Sequence, residues 1–242
     1  IAYVGVAPFI SALDNGLDAK IVAGVQTNGS HLVLRPEINY ATPEDLIGLK
    51  IATFPLCSVM DIVLKKWLVN NGLNPENDLE IISMEIKGAI TAIENGSIDG
   101  VFLPHPLPAI IELNGSGRMV IASGEMWPNH ACCCLVVSGK LIREHPEMVK
   151  QLIKTHIKAT EYNINHQDEA AEIYTRKTGM DLEVVNYSLN TWDGAWVSNP
   201  YIGLNNTLEY AEIMYELGCV NKFLTKEDLF DFSFYEKIIR ER

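Results

Sequence analysis

No apolar run in these 242 residues is long enough to cross a bilayer as a helix. Positive charge is scarce: 19 Lys and Arg stand against 31 Asp and Glu, a net charge of −12. That balance excludes the basic footprint of a nucleic-acid binder and disfavours anionic membrane surfaces. It also means that an anionic ligand needs local donors to overcome the global field. Cysteine is sparse, with five residues: Cys57, Cys132, Cys133, Cys134 and Cys219. The number is odd and no spacing matches a zinc motif, which argues against a metal scaffold and against a disulfide framework. The chain has no phosphate loop, no defensible Ser–His–Asp set and no paired acids at fixed spacing. Repeats, low-complexity tracts and long linkers are also lacking.

What remains is ordinary globular composition, 48% hydrophobic and 21% charged, over a length that suits one or two domains. Apolar runs alternate with helical patterns, which predicts parallel sheets of the α/β kind. Residues 1–5 read as a buried strand, Pro8 as the opening of a helix and Gly16 as its stop. Strands follow over 19–25 and 31–34. The clearest helix spans 58–71, with Met60, Val63, Leu64, Trp67 and Leu68 on one face, Lys65 and Lys66 on the other, and Gly72 as its end. Further strands are expected over 50–53, 79–84, 100–103, 119–122 and 133–137. Beyond 146 the chain reads as mainly helical, with Met148, Leu152, Ile153, Ile157 and Tyr162 at helical spacing.

Candidate ligand contacts cluster at turns. Cys57-Ser58 precedes the long helix, where unpaired backbone N–H groups favour an anion, although a simple N-cap is the commonest role for such a serine. Ala7-Pro8 lies between a strand and a helix, a place where ligands gather in open α/β sheets; a plain turn with Phe9 in the core is the alternative. Asn28-Gly29 offers a donor, an acceptor and room for close approach, or only a tight turn. His105, between two prolines, and Trp127 with His130 could give an aromatic wall with imidazole donors, or be loop and structural residues. Trp192 either lines a ligand or packs helices. Cys132 to Cys134 read as a strand whose side chains alternate, so buried structural thiols are the default.

Several of these motifs fall in a familiar order: Ile1-Ala2-Tyr3-Val4-Gly5-Val6-Ala7-Pro8, Gly29-Ser30, Asp45-Leu46-Ile47-Gly48-Leu49-Lys50-Ile51-Ala52, Cys57-Ser58, Gly96-Ser97-Ile98-Asp99-Gly100, and the closing Leu141-Ile142-Arg143-Glu144-His145-Pro146-Glu147. The chain resembles the substrate-binding proteins of ABC importers of the nitrate, sulfonate, taurine and thiamine-precursor type (NMT1/THI5-like). The resemblance covers about the first 150 residues and fades after about 180. It implies a type II periplasmic-binding-protein fold of two α/β lobes, a discontinuous lobe over 1–36 and 131–242 and an inserted lobe over 37–130. It further implies a small polar or anionic solute in a central cleft, two hinge crossings near 35–38 and 127–133, and permease subunits as partners. The expected location is extracytoplasmic, and no cofactor, metal or catalytic set is implied. An N-terminal segment carrying a further site strand is expected ahead of Ile1.

Two alternatives come with the resemblance. One is an enzyme of the thiamine-pyrimidine synthase type, whose three-cysteine run implies an iron-linked role. Its cofactor lysine and histidine would fall at Gly5 and Phe9, which can serve neither purpose. The other is a ligand-sensing receptor domain.

Overall fold

The computed structural model describes residues 1–241. The chain runs through β1 (Ala2–Gly5), α1 (Val6–Asp14), β2 (Ala19–Thr27), β3 (Ser30–Leu34), β4 (Lys50–Thr53), α2 (Val59–Asn70), β5 (Glu80–Ser83), α3 (Ile86–Glu94) and β6 (Gly100–Pro104). It continues with α4 (Leu107–Leu113), β7 (Arg118–Ala122), α5 (Ser123–Met126), β8 (Ala131–Ser138), α6 (Gly139–Glu144) and α7 (Pro146–Asn165). It ends with α8 (Gln167–Thr178), α9 (Leu182–Thr191), β9 (Ala195–Trp196), α10 (Leu204–Glu216), α11 (Lys226–Leu229) and α12 (Ser233–Arg240). Two compact units result: one of Ile1–Thr27, Asn129–Gln167 and Ala195–Arg242, the other of Asn28–Pro128 and Asp168–Gly194.

The first unit holds the sheet β1-β8-β2-β9, in which every neighbouring pair is antiparallel. β1 and β2 run parallel to each other but on opposite sides of β8, so the expected parallel sheet is not formed here. β1 is an edge strand, which explains a second departure. Ile1 is 63% and Tyr3 59% exposed, although the apolar run reads as buried. Periodicity measures apolarity, not position in the sheet. α7 buries Val149, Ile153, His156, Ile157 and Thr160, a face one residue removed from the predicted one; Met148 and Tyr162 are exposed. Val22, Leu135, Val149, Ile153 and Ile238 join in this unit's core.

In the second unit the strand order is β5-β4-β6-β3-β7. β4 is parallel to β5 and β6, whereas β3 is antiparallel to β6 and β7. The carboxyl ends of β4, β5, β6 and β7 and the amino end of β3 therefore share one edge of the sheet. Every residue of β3 is buried, as a central strand requires. α2 covers the sheet with Val59, Met60, Ile62, Val63, Leu64, Trp67 and Leu68, and burying each large side chain stabilises the unit by about 1.5–3 kcal/mol.

The unit boundaries differ from the lobes read in the sequence. β3 is central in the second sheet, so that unit starts at Asn28 rather than at 37. Residues 35–38 are no crossing: the Arg35 backbone N–H donates to the Asp99 carbonyl, and its guanidinium meets the Asp99 carboxylate at 3.3 Å. The chain also returns to the second unit over Asp168–Gly194, so it passes between units four times, at 27/28, 128/129, 167/168 and 194/195.

Candidate functional site

The second unit gathers a polar cluster at the shared sheet edge. It starts where the chain enters β3. Asn28 and Gly29 both have positive φ, 51° and 91°, which reverses the chain tightly enough to aim its N–H groups at one acceptor. That acceptor is Asp193, brought back by the returning segment. Its carboxylate accepts from the Gly29 N–H at 2.9 Å and from the Gly124 N–H at 2.5 Å, and its carbonyl accepts from Asn28 Nδ2 at 3.2 Å. Gly124 is required there: a Cβ would fall 2.5 Å from Asn28 Nδ2 and from Asp193 Oδ2. The Ser30 N–H donates to Ser123 Oγ, and Ser30 Oγ is buried without a partner.

Beside this clamp lies a histidine pair. His31 is on β3 and His105 follows β6. His105 Nε2 is 2.9 Å from His31 Nδ1, and His105 Nδ1 is 2.9 Å from Ser188 Oγ on α9. The rings meet edge to face, 4.9 Å between centroids. Burial, with His31 as a second influence, pushes His105 down to about 3. Burial also lowers His31, against the opposing pull of the Asp193, Glu125 and Glu112 carboxylates. Both rings are therefore neutral hydrogen-bonding groups near neutral pH.

The third element is the start of α2. Ser58 is its N-cap, with Oγ accepting from the Asp61 N–H at 3.3 Å. Buried Asp61 accepts from the Cys57 N–H at 2.8 Å and pairs with Lys65 at 3.1 Å. Cys57 takes a positive φ of 65°, which turns the chain into the helix. Val59 and Met60, in the first turn, keep N–H groups that no helical carbonyl can reach.

Of the predicted residues, Asn28, Gly29, Cys57, Ser58 and His105 thus sit at one sheet edge. Trp127 is in the same unit but is 6% exposed, with Lys66 Nζ 4.2 Å from its ring centroid. Trp192 packs its ring over Gly194, where a Cβ would lie 2.2 Å from ring atoms. The remaining three belong to the first unit. Ala7 is wholly buried and Pro8 is exposed, in a helix that starts at Val6 rather than at Pro8. His130 is no surface residue: it sits in the connection just before β8 and is wholly buried, with Nδ1 3.0 Å from the Tyr210 hydroxyl. Its sequence position beside Trp127-Pro128 suggests a loop, but Ala131 opens a central strand.

Sequence reasoning missed His31, Ser188 and Asp193. His31 hides in an apolar strand, and Ser188 and Asp193 lie 69 to 165 positions from their partners. The one available signal was the Trp192-Asp193-Gly194 turn, singled out for its tryptophans only.

The cysteine run also departs from expectation. Cys132 is the extra residue of a bulge in β8, between the pairs Gln26–Cys133 and Thr27–Ala131. Alternation therefore fails, and the Cys132 and Cys133 sulfurs converge to 3.7 Å. Burial holds the Cys134 thiol well up, while its neighbour's hydrogen bond lowers Cys133. Among the described residues, no three His, Cys, Asp or Glu side chains converge to hold a metal. Phe9, at the position the synthase type needs for chemistry, is 1% exposed in the core.

Comparison with known proteins bears on the fold and the family. A Bacillus subtilis (strain 168) protein, provisionally named as aliphatic sulfonates-binding, is 27% identical over 98% of this chain and 71% of its own length. The ligand-binding component of an ABC-type import system from Staphylococcus aureus, solved with zinc bound, superposes with a TM-score of 0.84 at 16% identity, covering 98% of this chain and 79% of that one. The periplasmic aliphatic sulphonate binding protein SsuA from Escherichia coli gives 0.81 at 18%, covering 95% and 74%. The same fold carries chemistry elsewhere: the desulfurization enzyme DSZB gives 0.73 at 14%, covering 99% and 85%. The fold is thus the two-lobed periplasmic-binding-protein type. No helix among the described residues is long and apolar enough to cross a membrane. Residues 1–177 match the model of the NMT1-like family, and the chain belongs to that family.

Proposed function

We propose that this chain is the solute-capturing component of an ABC importer, working outside the cytoplasmic membrane and delivering its ligand to permease subunits. The solute is a small polar or anionic compound of the sulfonate, nitrate-like or thiamine-pyrimidine kind. The observation that carries this reading is the convergence of neutral donors at one sheet edge of the second unit: the α2 start with Ser58 and the His31–His105 pair, beside the Asn28–Gly29 turn that Asp193 holds in place. Arg35 and Arg118 lie at the opposite edge of the second sheet, so the donors at this edge are neutral. Such donors bind without making or breaking a covalent bond. Ser58 Oγ caps the helix as an acceptor and retains its hydroxyl hydrogen for the solute. The first-turn N–H groups add the favourable end of the helix dipole.

Mass spectrometry of small molecules released from the purified, denatured protein tests this directly. Titration calorimetry with ethanesulfonate, taurine, nitrate and bicarbonate then ranks the classes. Ser58→Ala should weaken the best binder by about 1 kcal/mol, roughly fivefold. Turnover accompanied by a pyridoxal or iron absorbance band would replace the transport reading with the enzyme one.

A further inference from the structure

Ser188 lies on α9 and is 6% exposed. A buried hydroxyl hydrogen needs an acceptor. Inside helices it usually goes to the carbonyl four residues back, as it does here for Thr155, Thr160, Thr178, Thr191 and Thr207. Ser188 makes no such bond; its oxygen lies 2.9 Å from His105 Nδ1. We infer that Ser188 donates to His105 Nδ1, that His105 Nε2–H in turn donates to His31 Nδ1, and that His31 is thereby held with its proton on Nε2, as a donor for an acceptor oxygen of the solute. This rests on the solute-binding reading above.

The direction follows from proton counting. A neutral imidazole has one N–H and one lone pair. Once His105 Nδ1 accepts from the serine, its proton must be on Nε2, 2.9 Å from His31 Nδ1. His31 Nδ1 must then accept, which places the His31 proton on Nε2. His31 keeps 8% exposure, and Nε2 is not among its unit's buried atoms lacking a partner. The carboxylates that act on His31, those of Asp193, Glu125 and Glu112, are engaged elsewhere: by Gly29 and Gly124, by the Ala122 N–H, and by Met119 and Tyr187. The outward N–H is thus left for a ligand. A sulfonate, carboxylate or nitrate oxygen satisfies it, whereas an ammonium at the same point would set donor against donor. Ser188 is a positioning residue: it selects the ligand atom through two rings without touching it.

Long-range proton–nitrogen correlation spectra of the full chain, with ¹⁵N-labelled histidine at about pH 7, read the tautomers without any ligand. His31 and His105 should both be Nε2–H. In Ser188→Ala the pair should become a mixture of tautomers, and ethanesulfonate affinity should fall roughly fivefold to tenfold, the scale of one hydrogen bond. Ser188→Thr should restore both. An Nδ1–H tautomer on wild-type His31 overturns the inference, and this measurement decides even if Ser188→Ala fails to fold. Unchanged tautomers and affinity in a folded Ser188→Ala overturn it as well. Expected tautomers in a wild-type protein that binds no oxyanion would instead overturn the assignment of an acceptor oxygen, while the absence of any released small molecule and of any binding would sink the solute reading itself.

Discussion

Acid should weaken this protein well before its carboxylates titrate, and His105 should account for much of the effect. In the folded chain burial pushes His105 down to about 3, whereas an unfolded histidine titrates near 6.5. Between these values the unfolded state holds one more proton, so unfolding stability rises with pH and falls on acidification. The slope for one such group is about 1.4 kcal/mol per pH unit, so acidifying from 6.5 to about 5 removes about 2 kcal/mol. His31 and His156 are lowered by burial too, and add loss of the same sign over the same window. Urea melts followed by tryptophan emission give the stability at each pH, with Trp67, Trp127 and Trp192 all reporting from the second unit. His105→Gln keeps polarity and removes the proton, so its slope between pH 6.5 and 5 should be shallower by about 1.4 kcal/mol per unit. Equal slopes in wild type and variant would refute the view that His105 is held neutral by its surroundings.

Asp193→Asn leaves one acceptor oxygen for two N–H groups and should cost about 1–3 kcal/mol in a urea melt. Gly124→Ala forces a Cβ against the same clamp; combined with Asp193→Asn, the loss should be smaller than the sum of the two, because both break one network. Leu64→Ala, in the fully buried face of α2, should cost about 2–5 kcal/mol, and a loss below 1 kcal/mol would contradict the packing described.

Local patterns in the sequence are sufficient for α2, its Ser58 cap and Gly72 stop, and the turns at Asn28-Gly29 and His105, because capping chemistry and amphipathic spacing act over a few residues. Strand order is set by long-range pairing, and there the reading fails. β1 looks buried because its residues are apolar, yet nothing in residues 1–5 records that the strand lies at an edge. His130 reads as a surface histidine because its buried partner, Tyr210, lies 80 positions away. The clamp is the extreme case: Asp193 and Gly29 are 164 positions apart. A lone acid between tryptophans carries no local sign that two glycine N–H groups await it.

The late return of Asp168–Gly194 sets an order of assembly during synthesis. All five strands of the second sheet have been synthesised by Ala122, so that sheet can form well before the chain is complete. Its polar edge cannot be finished then. Until Asp193 emerges, the N–H groups of Gly29 and Gly124 lack the carboxylate they donate to in the native chain, and His105 lacks Ser188. A nascent chain stopped at residue 177, where the family match ends, would hold the whole sheet and an unlocked binding edge. Competence to bind should therefore switch on once the stretch up to Asp193 has cleared the ribosome's exit tunnel rather than grow with length, a step that arrested chains of increasing length would resolve.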